Sequence, residues 1–177
     1  MRSIVLRSKV SQQAKVAMIA RKSIDPMTAA EPAVNSVVRA SEGYFLQLVK
    51  LMGELTGGGD ILTGVLFVTI VFENTEIIRR MDGNSHAFAA VDDIPPDDMR
   101  QPVSIYSLAK SLGLPYETVR RYVNRMIDDG LCVKVGSKGG VIVPTSLLAS
   151  PGMRAISTRH YAQSMKFFER VKVLVGA

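Results

Sequence analysis

Residues 104–143 carry the pattern that most constrains the fold, because they combine two short amphipathic helices, a tight break and a glycine-rich hairpin. Ser104 predicts the N-cap of the first helix. The apolar residues of this helix share one face: Ile105, Leu108, Ala109 and Leu112. Gly113 can adopt the positive φ that often ends a helix, and Pro115 suits the start of the next one. We therefore expect two helices that cross steeply around a tight turn, which is a helix-turn-helix.

The second helix, expected over about 115–129, separates apolar from polar residues. Its inner stripe consists of Val119, Val123, Met126 and Ile127. Its other sides offer polar candidates for contacts with duplex DNA: Tyr116, Glu117, Thr118, Arg120, Arg121, Asn124 and Arg125. Arginine and asparagine can each form two hydrogen bonds with base edges in the major groove, to guanine and adenine respectively, and flanking arginines can hold phosphates.

A β-hairpin is expected directly after this helix. Residues 131–135 and 141–143 are short apolar runs, and the five residues between them include three glycines. Lys138 lies at the tip of the turn, where it could reach a phosphate or the minor groove. A helix-turn-helix followed by a hairpin with a basic tip is the winged variant of the motif.

The same segment resembles the DNA-binding module of bacterial winged-helix transcription regulators, of which the GntR, IclR and MarR groups share versions. The resemblance covers about 40 of the 177 residues. It rests on Leu108-Ala109, Leu112-Gly113-Leu114, Thr118-Val119-Arg120-Arg121, Asp128-Asp129-Gly130-Leu131 and the glycine-rich hairpin. It implies a sequence-specific regulator, usually dimeric, whose flanking helices form the dimer interface.

Several of these residues have a second interpretation that involves no DNA. Glu117 could accept from cytosine or form an ion pair with Arg121, four residues later. Asn124 and Lys138 could be ordinary surface residues. Cys132 could be a small core residue or a redox-sensing thiol.

The remaining chain is predicted to be mainly helical. The pattern indicates a basic arm over 1–28 and a helical core or dimerisation region over 29–82, in which two helices are joined by the glycines at 57–59. The second helix is expected to run from Ile61 to about Met81, and it is expected to be buried because it is apolar nearly all round as far as Phe72. An acidic linker (83–99) precedes the winged module (100–146), and a C-terminal helix of about 152–173 lies within the last segment, 147–177. The expected fold class is mainly α with a small β-hairpin.

Charge is segregated along the chain, whose net charge is +6. Residues 29–99 hold four basic and eleven acidic side chains, whereas residues 100–143 hold seven basic and three acidic ones. A basic module attracts polyanions such as DNA. The longest uncharged apolar stretch, Ile61–Phe72, is too short to span a bilayer, so no membrane anchor is expected. A single cysteine and the lack of a signal-peptide pattern predict a cytoplasmic protein.

The sequence therefore predicts a homodimeric regulator that binds double-stranded DNA. It shows no set of nucleophile, base and acid, so we expect no enzyme, and no cofactor. We expect no metal site either, because His86 and His160 lack partners at ligand spacing. The sequence says nothing about a small-molecule effector. Two alternatives remain at this stage: a winged-helix module that binds proteins without DNA, and an enzyme with an unrecognised site.

Overall fold

The computed structural model describes residues 34–58, 60–81, 88, 90–136 and 139–176, and the chain divides into two compact units, residues 1–36 and 37–177. The predicted basic arm over 1–28 lies outside the described residues. The described helices are α1 (Val34–Leu55), α2 (Ile61–Asn74), α3 (Glu76–Met81), α4 (Ile105–Leu112), α5 (Tyr116–Asp128), α6 (Thr145–Leu148) and α7 (Pro151–Val175). The described strands are β1 (Val133–Val135) and β2 (Gly140–Ile142). The expectation of a mainly helical chain with a small β-hairpin is confirmed.

Helices α1 and α2 form the predicted helical hairpin. The Asp60 carboxylate caps α2 by accepting from the Leu62 N–H at 2.9 Å. The helices approach closely at Gly64, where an added Cβ would lie 2.8 Å from the Cβ and the carbonyl oxygen of Met52. Only a residue without a side chain fits this crossing.

The prediction of one continuous helix over 61–81 is wrong, because the helix is interrupted at Thr75. The Thr75 hydroxyl donates to the carbonyl oxygens of Val71 and Phe72, four and three residues earlier, and α3 begins at Glu76. Side-chain bonds of this kind compete with regular helix continuation.

In α1 and α2, the residues that are buried are not all those that the apolar pattern of the sequence predicts. Val38 and Phe45, which belong to the apolar pattern of α1, are exposed, and the buried residues of that helix are Ala40 and Leu51. Helix α2 was expected to be buried on all sides. It buries Leu66 and Ile70 but leaves other large apolar side chains, such as Phe72, exposed.

The hydrophobic core lies where α2, α4, α5 and the hairpin meet. Its fully buried members include Leu66 and Ile70 of α2, Leu108 of α4, and Val119 and Val123 of α5. Burying each such side chain stabilises the fold by about 1.5–3 kcal/mol. The core therefore holds α5 to the rest of the unit through its apolar stripe.

The two strands are antiparallel and pair Val133 with Ile142 and Val135 with Gly140. β1 is two residues shorter than the predicted run over 131–135, and β2 begins and ends one residue earlier than the predicted run over 141–143. Val103 adds an isolated bridge to Val141, with N–H to O distances of 2.9 and 3.1 Å. This third partner was not predicted, because Val103 and Val141 are far apart in the sequence.

Asn74, the last residue of α2, is fully buried and connects α2 to β2. Its amide nitrogen donates to the carbonyl oxygens of Gln101 and Val141 at 2.8 and 3.1 Å. Its amide oxygen accepts from the Val143 N–H at 3.1 Å. Buried polar groups require such partners, so Asn74 fixes the distance between α2 and β2.

Arg100, one of the seven basic residues counted in 100–143, is also buried. Its guanidinium donates to the Val143 carbonyl oxygen at 2.6 Å and to the Thr145 hydroxyl at 2.9 Å, and it forms an ion pair with Asp97. Burial raises the pKa of Asp97, but hydrogen bonds from Thr145 and Arg100 outweigh this effect and lower it below its usual value. The cluster attaches the residues before α4 to the start of α6.

The C-terminal helix α7 is longer than its predicted span of 152–173, and the short helix α6 before it was not predicted. It packs along α1, where the rings of Tyr44 and Phe167 stack at 4.6 Å and Arg159 forms an ion pair with Glu54. None of its side chains is buried. Among the described residues, no helix is both long enough and apolar enough to cross a membrane.

Candidate nucleic-acid interface

The candidate site is the exposed side of α5, whose position is set by the turn before it. Gly113 ends α4 in the left-handed conformation, with φ 65°, as predicted. Pro115 stands at the N-cap of α5 and offers no side-chain bond, but its carbonyl oxygen accepts from the Thr118 and Val119 N–H groups. Helix α5 therefore begins immediately after the turn.

The predicted polar residues of α5 lie together on its surface. Glu117, Arg120, Arg121 and Arg125 are exposed, and Thr118 and Asn124 are half-buried. With Asp128, these six residues line an open depression of about 460 Å³. Tyr116 is exposed at the start of the helix. Lys138 lies outside the described residues.

Two of the three arginines on this surface are paired with carboxylates of the same helix or its C-cap. The Arg120 side chain bonds to Glu117, with Nε 2.8 Å from Oε2. Arg125 lies 3.8 Å from the Asp129 carboxylate. The predicted ion-pair partner of Glu117 was Arg121, and this is wrong, because Arg120 occupies that carboxylate.

Arg121 differs from the other two arginines. It has no carboxylate partner among the described residues, and its guanidinium carbon lies 5.8 Å from the centroid of the Tyr122 ring. Its full positive charge is therefore available to an external anion or to a base edge.

Asn124 follows Arg121 by three residues and lies on the same side of the helix, where its amide has no hydrogen-bond partner among the described residues. An amide of this kind keeps both a donor and an acceptor for an external group. The pair Arg121 and Asn124 thus combines the two side chains that most often read guanine and adenine.

Two further exposed basic residues of the module did not appear among the predicted site residues. Lys134 is exposed in the middle of β1, opposite the buried Val141. Lys110 is exposed on α4. The alternation of apolar and charged residues in Val133-Lys134-Val135 is the sequence signal that could have identified Lys134, although Val133 is exposed as well.

Tyr122 is also absent from the predicted site residues. Its hydroxyl donates to the Asp60 carboxylate, which lies 62 residues away in the sequence. The hydrogen bond to Asp60 raises the pKa of the Tyr122 phenol and lowers that of the Asp60 carboxyl. No local sequence pattern predicts a contact over such a separation.

The described part of the chain offers little support for a reactive thiol or a metal site. Cys132 is fully buried, and burial raises the pKa of its thiol to about 11, as expected of a core residue rather than a reactive thiol. The described residues contain no cluster of three or more His, Cys, Asp or Glu side chains that could hold a metal ion. His160 lies on α7, with Nε2 3.5 Å from the Tyr44 hydroxyl, and His86 lies outside the described residues.

Comparisons with models of protein families, with curated proteins and with solved structures found no match for this chain.

Proposed function

We propose that residues 104–143 form a winged helix-turn-helix that binds duplex DNA, with α5 as the recognition helix and the β-hairpin as the wing. The chain would act as a sequence-specific transcription regulator. The observation that carries the proposal is the arrangement on α5: a helix held by a buried stripe presents Arg121 and Asn124 outward, and Arg121 has no carboxylate partner among the described residues.

The charge distribution supports the same proposal. Exposed basic side chains occur on three successive elements of the module: Lys110 on α4, Arg121 on α5 and Lys134 on β1. Phosphate contacts from such groups position a protein on DNA, whereas base contacts specify the sequence. We assign base contact to Arg121 and Asn124 and phosphate contact to the lysines, with Lys138 at the wing tip.

Selection of bound duplexes from a random DNA pool, followed by mobility-shift titration, tests the assignment. Arg121→Ala should weaken binding to the selected sequence by about 1–3 kcal/mol and relax its base preference. Lys134→Ala should weaken all duplexes similarly and reduce the salt dependence by about one counterion. Arg80→Ala on α3 also removes one positive charge, from an exposed side chain outside the proposed DNA and dimer interfaces, so it should leave binding unchanged.

A different outcome would favour the protein-interaction alternative. If no duplex were selected and a single stoichiometric protein partner bound through Arg121, α5 would be a protein-binding helix. Equal and salt-insensitive effects of Arg121→Ala and Lys134→Ala would also contradict the proposed roles.

We also propose that the chain forms a homodimer through α1 and α7. Helix α7 has 25 residues and buries none of them, and Phe168 and Val173 are 55% and 80% exposed. Phe45 and Leu46 of α1 are 62% and 58% exposed. A helix of this length extends about 37 Å, and exposed apolar side chains on two helices that pack together suit a protein–protein interface.

Sedimentation of the full chain tests the dimer. We expect a dimer that Phe168→Glu converts to a monomer, whereas Glu169→Lys, which changes charge at a neighbouring exposed position, has a smaller effect. Two copies would then read half-sites about one helical turn apart. A monomer at micromolar concentration would contradict this part of the proposal.

A further inference from the structure

Tyr122 connects the exposed side of α5 to the N-terminus of α2. Its ring is half-buried, and its hydroxyl donates to Oδ2 of Asp60. The other oxygen of Asp60 accepts from the Leu62 N–H at 2.9 Å and caps α2. Because α2 is held in the core by Leu66 and Ile70, the Tyr122 ring is anchored at its hydroxyl end as well as at its backbone.

The anchored ring lies beside the side chain of Arg121. The guanidinium carbon is 5.8 Å from the ring centroid, within the range of a cation–π contact. Arg121, Tyr122 and Arg125 together line a small hollow of about 260 Å³ next to this contact. Arg121 forms no ion pair among the described residues, and its guanidinium contacts the Tyr122 ring.

We propose that Tyr122 and Asp60 are positioning residues, which hold the Arg121 guanidinium in the orientation that reads a base. This inference rests on the proposed DNA-binding function and assigns these two residues a contribution to its sequence specificity. A guanidinium must lie in the plane of a base to donate two hydrogen bonds to it, and a free arginine side chain loses much rotamer entropy when it is fixed. A ring that fixes it in advance reduces that loss.

The protonation states of the pair suit this role at neutral pH. The bond between them lowers the pKa of the Asp60 carboxyl and raises that of the Tyr122 phenol. The carboxylate therefore stays ionised and the phenol stays protonated, so the donor and acceptor remain complementary. Arg125 also favours the ionised form of Asp60.

A double-mutant cycle between Tyr122→Phe and Arg121→Ala tests the proposal. Tyr122→Phe keeps the ring but removes its anchor, and we expect affinity for the selected sequence to fall roughly threefold to tenfold, the range of a partly lost cation–π contact. Affinity for random duplex should not change. In the Arg121→Ala background, Tyr122→Phe should have no further effect.

Asp60→Asn provides a second route to the same result, because asparagine still caps α2 but accepts more weakly from the phenol. Asp98→Asn removes an equal charge at an exposed position that has no ion pair among the described residues, so it controls for net charge. We expect Asp60→Asn to reduce specific binding and Asp98→Asn to leave it unchanged.

The outcomes separate the two proposals. If the wild-type chain selects no duplex, the DNA-binding function fails. If it selects a duplex but Tyr122→Phe weakens binding equally with and without Arg121, the ring only supports helix packing and the positioning role is refuted. The NMR shift of the Arg121 Nε–H group in the free protein gives an independent readout, because Tyr122→Leu should abolish its ring-current shift. An unchanged shift in that variant would also overturn the proposal.

Discussion

Replacing Asn74 by alanine is the substitution whose effect on stability can be derived most directly from the structure. Asn74 forms three side-chain hydrogen bonds, all to backbone groups between 27 and 69 residues away in the sequence. The alanine variant removes all three bonds without disturbing the backbone of α2. It therefore isolates the connection between α2 and β2.

The three bonds do not contribute equally. Val143 is fully buried, so its N–H group would lose its partner without access to water, at a cost of about 1–3 kcal/mol. The Val141 carbonyl oxygen would keep the Val103 N–H at 3.1 Å, and the Gln101 carbonyl lies at an exposed residue. The cavity left by the amide adds about 1 kcal/mol. We expect a total loss of about 2–4 kcal/mol.

Urea unfolding followed by circular dichroism measures this loss. The matched control is Asn124→Ala, which removes the same amide from the surface of α5 and should change the free energy of unfolding by less than about 0.5 kcal/mol. If Asn74→Ala costs no more than its control, the reasoning about buried hydrogen bonds is refuted.

Asn74→Asp gives a test of the same site with a defined pH dependence. The introduced carboxylate would face the carbonyl oxygens of Gln101 and Val141 in a buried position, which favours its protonated form and raises its folded-state pKa. The variant should therefore be most stable at low pH, and should lose stability as the pH rises from about 4, the unfolded value, through the folded pKa. A variant that is as stable at pH 7 as at pH 4 would contradict this expectation.

Three further predictions concern single positions. Because the pKa of Asp97 is lowered in the folded state, Asp97 contributes to stability above about pH 4, and this contribution is lost as the pH falls below that value. Asp97→Asn should therefore reduce the loss of unfolding free energy at acidic pH. If the variant lost as much unfolding free energy at acidic pH as the wild type, the ionised Asp97 carboxylate would not contribute to stability. Gly64→Ala should destabilise the chain by about 1–3 kcal/mol in thermal unfolding, because its Cβ would collide with Met52. Gly53→Ala should instead stabilise α1 by up to about 1 kcal/mol, because its Cβ meets nothing within 4 Å. If both variants changed the free energy of unfolding in the same direction, the close approach of α1 and α2 at Gly64 would be refuted. Cys132 should resist a thiol reagent at pH 8 in the native state and react fully after unfolding, since its pKa is about 11; rapid labelling of the native chain would contradict its burial.

The local features of the module could be predicted because they depend on residues a few positions apart. The Ser104 hydroxyl accepts from the Ser107 N–H at 3.0 Å, as its N-cap position predicted. Val119, Val123 and Met126 are fully buried, as their spacing predicted. Helical periodicity and capping are short-range properties, so the sequence indicates them directly.

The candidate site could be predicted only as a set of residues. The sequence selected the polar side chains of α5, but it paired Glu117 with the wrong arginine, since spacings of three and four are equally close on a helix surface. It also could not identify Arg121 as the arginine without a carboxylate partner among the described residues. That distinction depends on side-chain orientations, which sequence spacing does not specify.

The sequence by itself determined that the chain is mainly helical, where α4 and α5 are capped and turned, and which side of α5 faces the core. Only the tertiary structure decided that Asn74 joins α2 to β2, that Arg100 is buried beside Asp97, and that Tyr122 reaches Asp60. The physical reason is the range of the forces involved. Capping and periodicity act within a few residues, whereas a buried hydrogen bond requires two distant segments to be brought together by burial of the whole core.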